Sequence, residues 1–173
     1  AYADRNQYTG DTDFVEVPVQ GMINSDYLKS RAKLIMPGTS MGKATYGDPS
    51  PKLALDYDKG HVLDIPSTTH FSITEKWGHA VSMTATVASM FGSRLMVEGF
   101  MLNNELTDFS LIPVGENGKL VANRVQGGKR PMSSQTPSIV FDDENRPVLI
   151  IGSPGGASII NYVTQTIINA LDW

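Results

Sequence analysis

The stretch DIPSTTHFSITEKWGHAVSMTAT, from Asp64 to Thr86, decides how this chain reads. Phe71 and Ile73 alternate with His70, Ser72 and Thr74. Glu75-Lys76-Trp77-Gly78 then supplies a turn. Beyond it Val81, Met83, Ala85 and Val87 alternate with Ser82, Thr84 and Thr86. A period of two on both sides of a turn predicts a β-hairpin with one apolar and one polar face. The pattern puts Thr68 at the first position of a central strand, directly after a loop.

Downstream, SIVFDDENRPVLIIG predicts a second hairpin, with arms Ser138–Phe141 and Val148–Ile151 and a turn at 142–147. Its second arm is apolar on both faces, as in a buried central strand. GSPGG follows. From Ser158 onward Ile159, Ile160, Val163, Ile167, Ile168 and Leu171 recur at helical spacing.

Upstream the signals weaken. DRNQYTGDTDF reads as loop, with Gly10-Asp11 as a turn. INSDYLKSRAKLI offers Asn24 or Ser25 as the N-cap of a short helix, with Tyr27, Leu28, Ala32 and Ile35 apolar. Residues 36–66 are dense in proline and glycine and read as a long, mobile connection. The sequence therefore divides into 1–67, an entry region with a flexible connector, and 68–173, a patterned core.

The chain has 173 residues, 40% apolar and 18% charged, with a net charge of −4. That balance suits a soluble fold of one domain or a piece of one. No basic stripe is present to displace counterions from a phosphate backbone, so nucleic acid is a poor partner. Cysteine is absent, which excludes disulfides, thiolate metal sites and cysteine nucleophiles. His61, His70 and His79 have no carboxylate at a metal-ligand spacing, and neither a metal nor a cofactor is expected. No apolar run reaches membrane-spanning length. The chain opens at Ala1 without an initiator methionine and stops at Trp173 after a helical pattern, and both ends read as cuts in something longer.

Four segments carry candidate chemistry. A threonine hydroxyl is a weak nucleophile that needs a nearby base. Cleaving the chain before Thr68 would supply one, because a free α-amine titrates at about 7.7–8.0, where general bases work well. The β-branch of threonine restricts χ1 and aims the hydroxyl. Alone, a Thr-Thr pair is commonly ordinary strand sequence. GSPGG turns a strand into a helix start, whose N–H groups can hold an oxyanion, or it is simply a turn. Glu105 and Asp108 in LNNELTDFS stand three apart, close enough on one turn to bind an ammonium, or to form a solvated acidic turn. Ser133 and Ser134 in KRPMSSQTP can donate to a carboxylate, or belong to a plain polar loop. His70 shares a face with Thr68, either orienting groups there or packing as a hydrogen-bonded strand histidine.

In order, TTHFSI, FGSRLMVEGFMLNNELTDFS, KRPMSSQTPSIV and GSPGGASII resemble the γ-glutamyltranspeptidase family. YADRNQYTGDTDFVEVP resembles the end of that family's large subunit, and TTH the start of its small subunit. The resemblance implies an α+β fold, the αββα sandwich of the N-terminal nucleophile hydrolases, incomplete in this chain. It implies autocleavage between Ser67 and Thr68, with Thr68 as nucleophile on γ-glutamyl compounds such as glutathione, and water or an amino acid as acceptor. It further implies that Thr86 positions Thr68, that Glu105 and Asp108 hold the substrate ammonium, that Ser133 and Ser134 hold its carboxylate, and that Gly155 and Gly156 form the oxyanion hole. The implied location is periplasmic or secreted.

Two departures from the family pattern bear on function. Many members carry asparagine two residues after the threonine matched by Thr86, where this chain has Ala88. That leaves room for a related acylase of the cephalosporin type. Most of a large subunit and the end of a small subunit have no counterpart here, including an arginine for the substrate carboxylate. The remainder of both subunits is therefore an expected partner. The chain alone is expected to be inactive, and to expose apolar surface that favours a homo-oligomer.

Overall fold

Asp4, Gln7 and Tyr8 stand three and four residues apart and are all buried, so they share one face of a helix. That helix, α1 (Tyr2–Tyr8), occupies a segment whose sequence reads as loop. Its sequence is polar, so no apolar stripe announces it. Its stability comes from partners far along the chain. A computed structural model of the protein describes residues 1–53, 55–62 and 67–173, which form two compact units.

The first unit comprises Ala1–Val62 and Phe109–Met132. After α1 come α2 (Val19–Met22) and α3 (Ser25–Ala32). Asn24, rather than Ser25, caps α3, its Oδ1 accepting from the N–H groups of Asp26 and Tyr27. Leu28 and Ile35 of the expected apolar set are exposed, and the helix ends before Ile35.

The Pro/Gly-rich connection has little regular structure in its described part, yet it is pinned. Asp4 accepts from the Gly47 N–H at 2.7 Å and from the Tyr27 hydroxyl at 3.0 Å. The Tyr8 hydroxyl donates to the Gly47 carbonyl. Asp58, buried, pairs with Val121 and accepts from the backbone N–H and side-chain amide of Asn117. Of residues 36–66, expected as a mobile connection, 54 and 63–66 lie outside the described residues. Tyr8, Val15, Phe109, Val121 and Ala122 form the apolar core of this unit.

The second unit comprises Leu63–Asp108 and Ser133–Trp173. Strands β1 (Thr69–Thr74) and β2 (Ala80–Ala85) form the expected antiparallel hairpin, in register from Thr69 opposite Ala85 to Thr74 opposite Ala80. Thr68 stands one residue before β1 rather than within it. A second ribbon, β3 (Met96–Val97) with β4 (Phe100–Met101), was not legible in the sequence. Its turn residues, Glu98 and Gly99, both have positive φ, as a tight turn matched to strand twist requires.

β5 (Ser138–Phe141) and β6 (Pro147–Ile151) form the other expected hairpin, with an irregularity between Val140 and Phe141. Val148 is exposed, so β6 is not buried on both faces. Helix α4 (Ile159–Asp172) follows the glycine turn and buries Ile159 and Val163. Among the described residues each sheet has two strands.

The polar face of the first hairpin is the one that meets the second. The Ser72 and Ser82 hydroxyls donate to the carbonyls of Ile150 and Ile151, at 3.3 and 3.0 Å. Phe71, Ile73, Val81 and Met83, on the opposite face, are exposed. These two hydroxyl-to-carbonyl bonds tie β1 and β2 to β6.

Candidate active site

Every candidate residue lies in the second unit: Ser67, Thr68, Thr86, Glu105, Asp108, Ser133, Ser134, Gly155 and Gly156. The register of the first hairpin brings the first three together. Thr69 opposes Ala85, so continuing the ladder by one pair sets Thr68 opposite Thr86. Thr86 Oγ1 donates to the Ser67 carbonyl oxygen across 3.5 Å, a long bond, and accepts from the Ala88 N–H at 3.0 Å. That carbonyl belongs to the peptide bond that joins Ser67 to Thr68. The Ser67 hydroxyl oxygen is buried with no hydrogen-bond partner.

The second bond of Thr86 is a local side-chain-to-backbone turn. Its donor, Ala88, has an unusual backbone, with a φ of 69°. Left-handed backbone is disfavoured for alanine and better tolerated by asparagine. The departure from the family's asparagine therefore falls on a residue whose own conformation asparagine suits.

Glu105 and Asp108 occupy one 3-10 turn, Glu105–Asp108. Burial, and then the neighbouring Asp108, push the Glu105 carboxyl above its ordinary range. A carboxyl that resists ionisation beside a second acidic group is a ready place for a cation. The turn starts from Asn103 and Asn104. Asn103 Oδ1 accepts from the Glu105 N–H at 3.0 Å, in the manner of a helix cap. Asn104 reaches back to Val87 and Ser89, beside Thr86. Sequence reasoning missed Asn104, although an asparagine pair before an acidic turn is itself a cap signal.

Ser133 is exposed and Ser134 half-buried. They begin the extended run into β5. Ser133 Oγ accepts from the Gln135 N–H, and the Ser134 carbonyl accepts from the Thr136 hydroxyl. The chain leaves this unit after Asp108 and re-enters it at Ser133, so the acidic turn and the serine pair flank the same excursion.

At the other end of β6, Gly155 and Gly156 have φ of 138° and 57°. The first value demands glycine, and the second lies in the left-handed region that glycine adopts freely. The turn leads into the N-terminal end of α4, an environment suited to negative charge. Gly152 lies against the His70 ring, with no room for a Cβ. His70 itself is bonded through Nδ1 to Thr84 Oγ1 at 2.8 Å and through Nε2 to Ser72 Oγ at 3.1 Å. Both ring nitrogens are thus engaged within the hairpin, as in a packed strand histidine.

Comparison with known proteins gives a consistent picture. A family model described as Gamma-glutamyltranspeptidase matches residues 1–173. The chain is 43% identical over 185 residues to the glutathione hydrolase proenzyme of Bacillus subtilis (strain 168), covering 100% of this chain and 30% of that protein. It is 40% identical over 179 residues to the glutathione hydrolase proenzyme of Escherichia coli (strain K12), covering 100% of this chain and 29% of that one. Among solved structures, a mutant Helicobacter pylori gamma-glutamyltranspeptidase is similar at a TM-score of 0.53 and 43% identity, over 60% of this chain and 59% of that chain. The Pseudomonas nitroreducens enzyme complexed with L-DON is similar at the same TM-score of 0.53 and 43% identity, over 60% and 56%. The chain thus spans about 30% of the length of the curated relatives it matches.

Proposed function

This chain belongs to the γ-glutamyltranspeptidase family, and from that premise we infer that it forms the nucleophile-bearing part of an autoprocessing γ-glutamyl transferase and hydrolase. The donor is a γ-glutamyl amide of the glutathione type, and the acceptor is water or an amino acid. In the whole protein the hairpins and α4 contribute to an αββα sandwich completed by the rest of the large and small subunits. The location follows the family, periplasmic or secreted; no helix among the described residues is long and apolar enough to cross a membrane.

The observation that carries this reading is the donation from Thr86 Oγ1 to the Ser67 carbonyl oxygen. Processing begins when the Thr68 hydroxyl, giving up its proton, attacks the Ser67 carbonyl carbon. Negative charge develops on the carbonyl oxygen, where the Thr86 hydroxyl stabilises it. The carbon–nitrogen bond breaks as the Thr68 nitrogen takes up a proton and leaves as an amine. Water hydrolyses the resulting ester, giving a Ser67 carboxylate and a free Thr68 α-amine.

That amine is then the base for turnover. It accepts the Thr68 hydroxyl proton as the oxygen attacks the substrate γ-carbonyl, and the Gly155 and Gly156 N–H groups receive the oxyanion. The amide nitrogen departs protonated, leaving a γ-glutamyl ester on Thr68, which water or an amine resolves. Glu105 and Asp108 hold the substrate α-ammonium, and Ser133 and Ser134 its α-carboxylate. Ala88 favours a second reading, an acylase of the cephalosporin type, since the family's asparagine is lacking there. The acidic pair favours the first.

The test is a denaturing intact mass of the whole protein carrying this chain, beside its Thr68→Ala and Thr86→Ala variants, with hydrolysis of γ-glutamyl p-nitroanilide. The reading expects two pieces meeting at Ser67–Thr68 and activity in the wild type, an uncut Thr68→Ala, and processing slowed about a hundredfold in Thr86→Ala. A wild type that stays uncut and inert would overturn it. A processed wild type that cleaves glutaryl but not γ-glutamyl anilides would favour the acylase.

A further inference from the structure

Asn104 stands at a junction between two parts of the site. Its backbone N–H donates to the Val87 carbonyl at 3.2 Å, its Oδ1 accepts from the Ser89 N–H at 2.9 Å, and its Nδ2 donates to the Ser89 hydroxyl at 2.8 Å. Its own carbonyl accepts from the Thr107 N–H at 3.0 Å and the Thr107 hydroxyl at 2.9 Å. The first group of bonds grips the turn after β2 on both sides of Ala88. The second group closes the turn that carries Glu105 and Asp108.

We propose that Asn104 is a positioning residue that holds the Thr86 turn and the Glu105–Asp108 turn at a fixed separation, and so sets the selectivity for substrates bearing an α-ammonium. The inference rests on the γ-glutamyl reading of the site. Its physical content is a distance requirement. The nucleophile side of the site engages the γ-carbonyl, and the acidic pair engages the far end of the same short substrate. A misplacement of about 1 Å at such a site costs about a hundredfold in rate.

An asparagine that only started the acidic turn would need its bonds to Thr107 and no more. The three bonds to Val87 and Ser89 do a different job. They fix the residues flanking Ala88, whose left-handed backbone is disfavoured and needs its surroundings to hold it. Releasing Asn104 lets the turn relax, and with it the Thr86 hydroxyl that is bonded to the Ala88 N–H. The acidic turn, bonded on its other side through Asn103, stays formed but loses its fixed distance from Thr86.

The experiment compares kcat/KM for γ-glutamyl p-nitroanilide with that for glutaryl p-nitroanilide, which lacks only the α-ammonium. It uses the whole protein and its Asn104→Ala, Asn104→Asp and Ser89→Ala variants. The expected preference for the γ-glutamyl substrate falls about tenfold in Asn104→Ala, which loses both neutral bonds to Ser89, and about threefold in Ser89→Ala, which loses one. Asn104→Asp keeps an acceptor for the Ser89 N–H and keeps most of the preference. A merely structural role would lower both activities together and leave their ratio alone.

A ratio within about twofold of wild type in both Asn104→Ala and Ser89→Ala overturns the inference. If Asn104→Ala fails to fold, an unchanged ratio in Ser89→Ala has the same force. A wild type with no preference for the γ-glutamyl substrate refutes the reading of the acidic pair, and this inference with it. A wild type with the preference and variants without any change refute the inference alone.

Discussion

Gly152 lies so close to the His70 imidazole that a Cβ there would overlap Nδ1 and Cε1. The contact joins the end of β6 to the start of β1, immediately beside Thr68. The ring cannot easily yield, because Thr84 and Ser72 hold its two nitrogens. Gly152→Ala is expected to cost about 1–3 kcal/mol by overpacking. Urea unfolding of Gly152→Ala, His70→Ala and the double variant measures it. The double variant should recover part of the loss, because the added methyl then meets empty space. Strictly additive effects would show that the two residues do not press on each other.

Ala88 holds a positive φ without being glycine. Ala88→Gly is expected to stabilise the protein by about 1 kcal/mol, since glycine adopts that region freely. Ala88→Asn should be tolerated as well, because its short side chain suits the left-handed region. Ala88→Val should destabilise the protein and slow cleavage at Ser67–Thr68, because a β-branched residue disfavours this backbone and moves the Thr86 hydroxyl. Denaturant midpoints and processing rates of the three variants check the order. Equal midpoints would mean the turn is not strained.

Glu105 gives a pH signature. Its carboxyl is held above its ordinary value of 4.5, first by burial and then by Asp108. For an acid raised in the folded state, the stability contribution is full below the ordinary value. It is lost as pH rises through the raised one. Glu105→Gln removes the charged form and should therefore gain stability over wild type as pH climbs from about 4 toward 7. The same variant should bind a γ-glutamyl substrate less well. Thermal midpoints across that range, alongside KM, give both sides of the trade-off. A wild type and variant with parallel pH profiles would contradict it.

Asp11 works in the opposite direction. Its side chain is 1% exposed, and Arg130 donates to it through the backbone N–H, Nε and one Nη at 2.8, 2.9 and 2.6 Å. The Arg130 side chain, chiefly by these bonds, holds the Asp11 carboxyl well below its ordinary value of 3.8. The stability from a depressed carboxyl is present above the ordinary value and lost as pH falls through the depressed one. Asp11→Asn should lower the melting temperature at neutral pH, by an amount that shrinks as pH drops below about 4. A pH-independent difference would assign the loss to packing instead.

Local pattern was enough for part of the fold. Alternation on either side of Glu75–Gly78, and apolar arms on either side of a turn at 142–147, are short-range information, and both hairpins appear, the second with β6 starting at Pro147 inside the expected turn. Helical spacing likewise determined α4. The opposition of Thr68 and Thr86 follows from the hairpin register, which the turn and the alternation set together.

Tertiary structure decided what depends on distant partners. α1 is a polar sequence made helical by burial of Asp4, Gln7 and Tyr8, and its partners include Tyr27 and Gly47. The Pro/Gly-rich connection is held by hydrogen bonds to Asp4 and by Asp58 beside Asn117, and its own composition carries no sign of them. The first hairpin turns its polar face, not its apolar one, toward β6, where the Ser72 and Ser82 hydroxyls donate to the carbonyls of Ile150 and Ile151. Asn104 gains its place only when residues 87–89 fold back onto it. A repeat of two or of 3.6 encodes a residue's neighbours along one element. It carries no information about which distant group will accept or donate a hydrogen bond, and those bonds tie together the parts of this site.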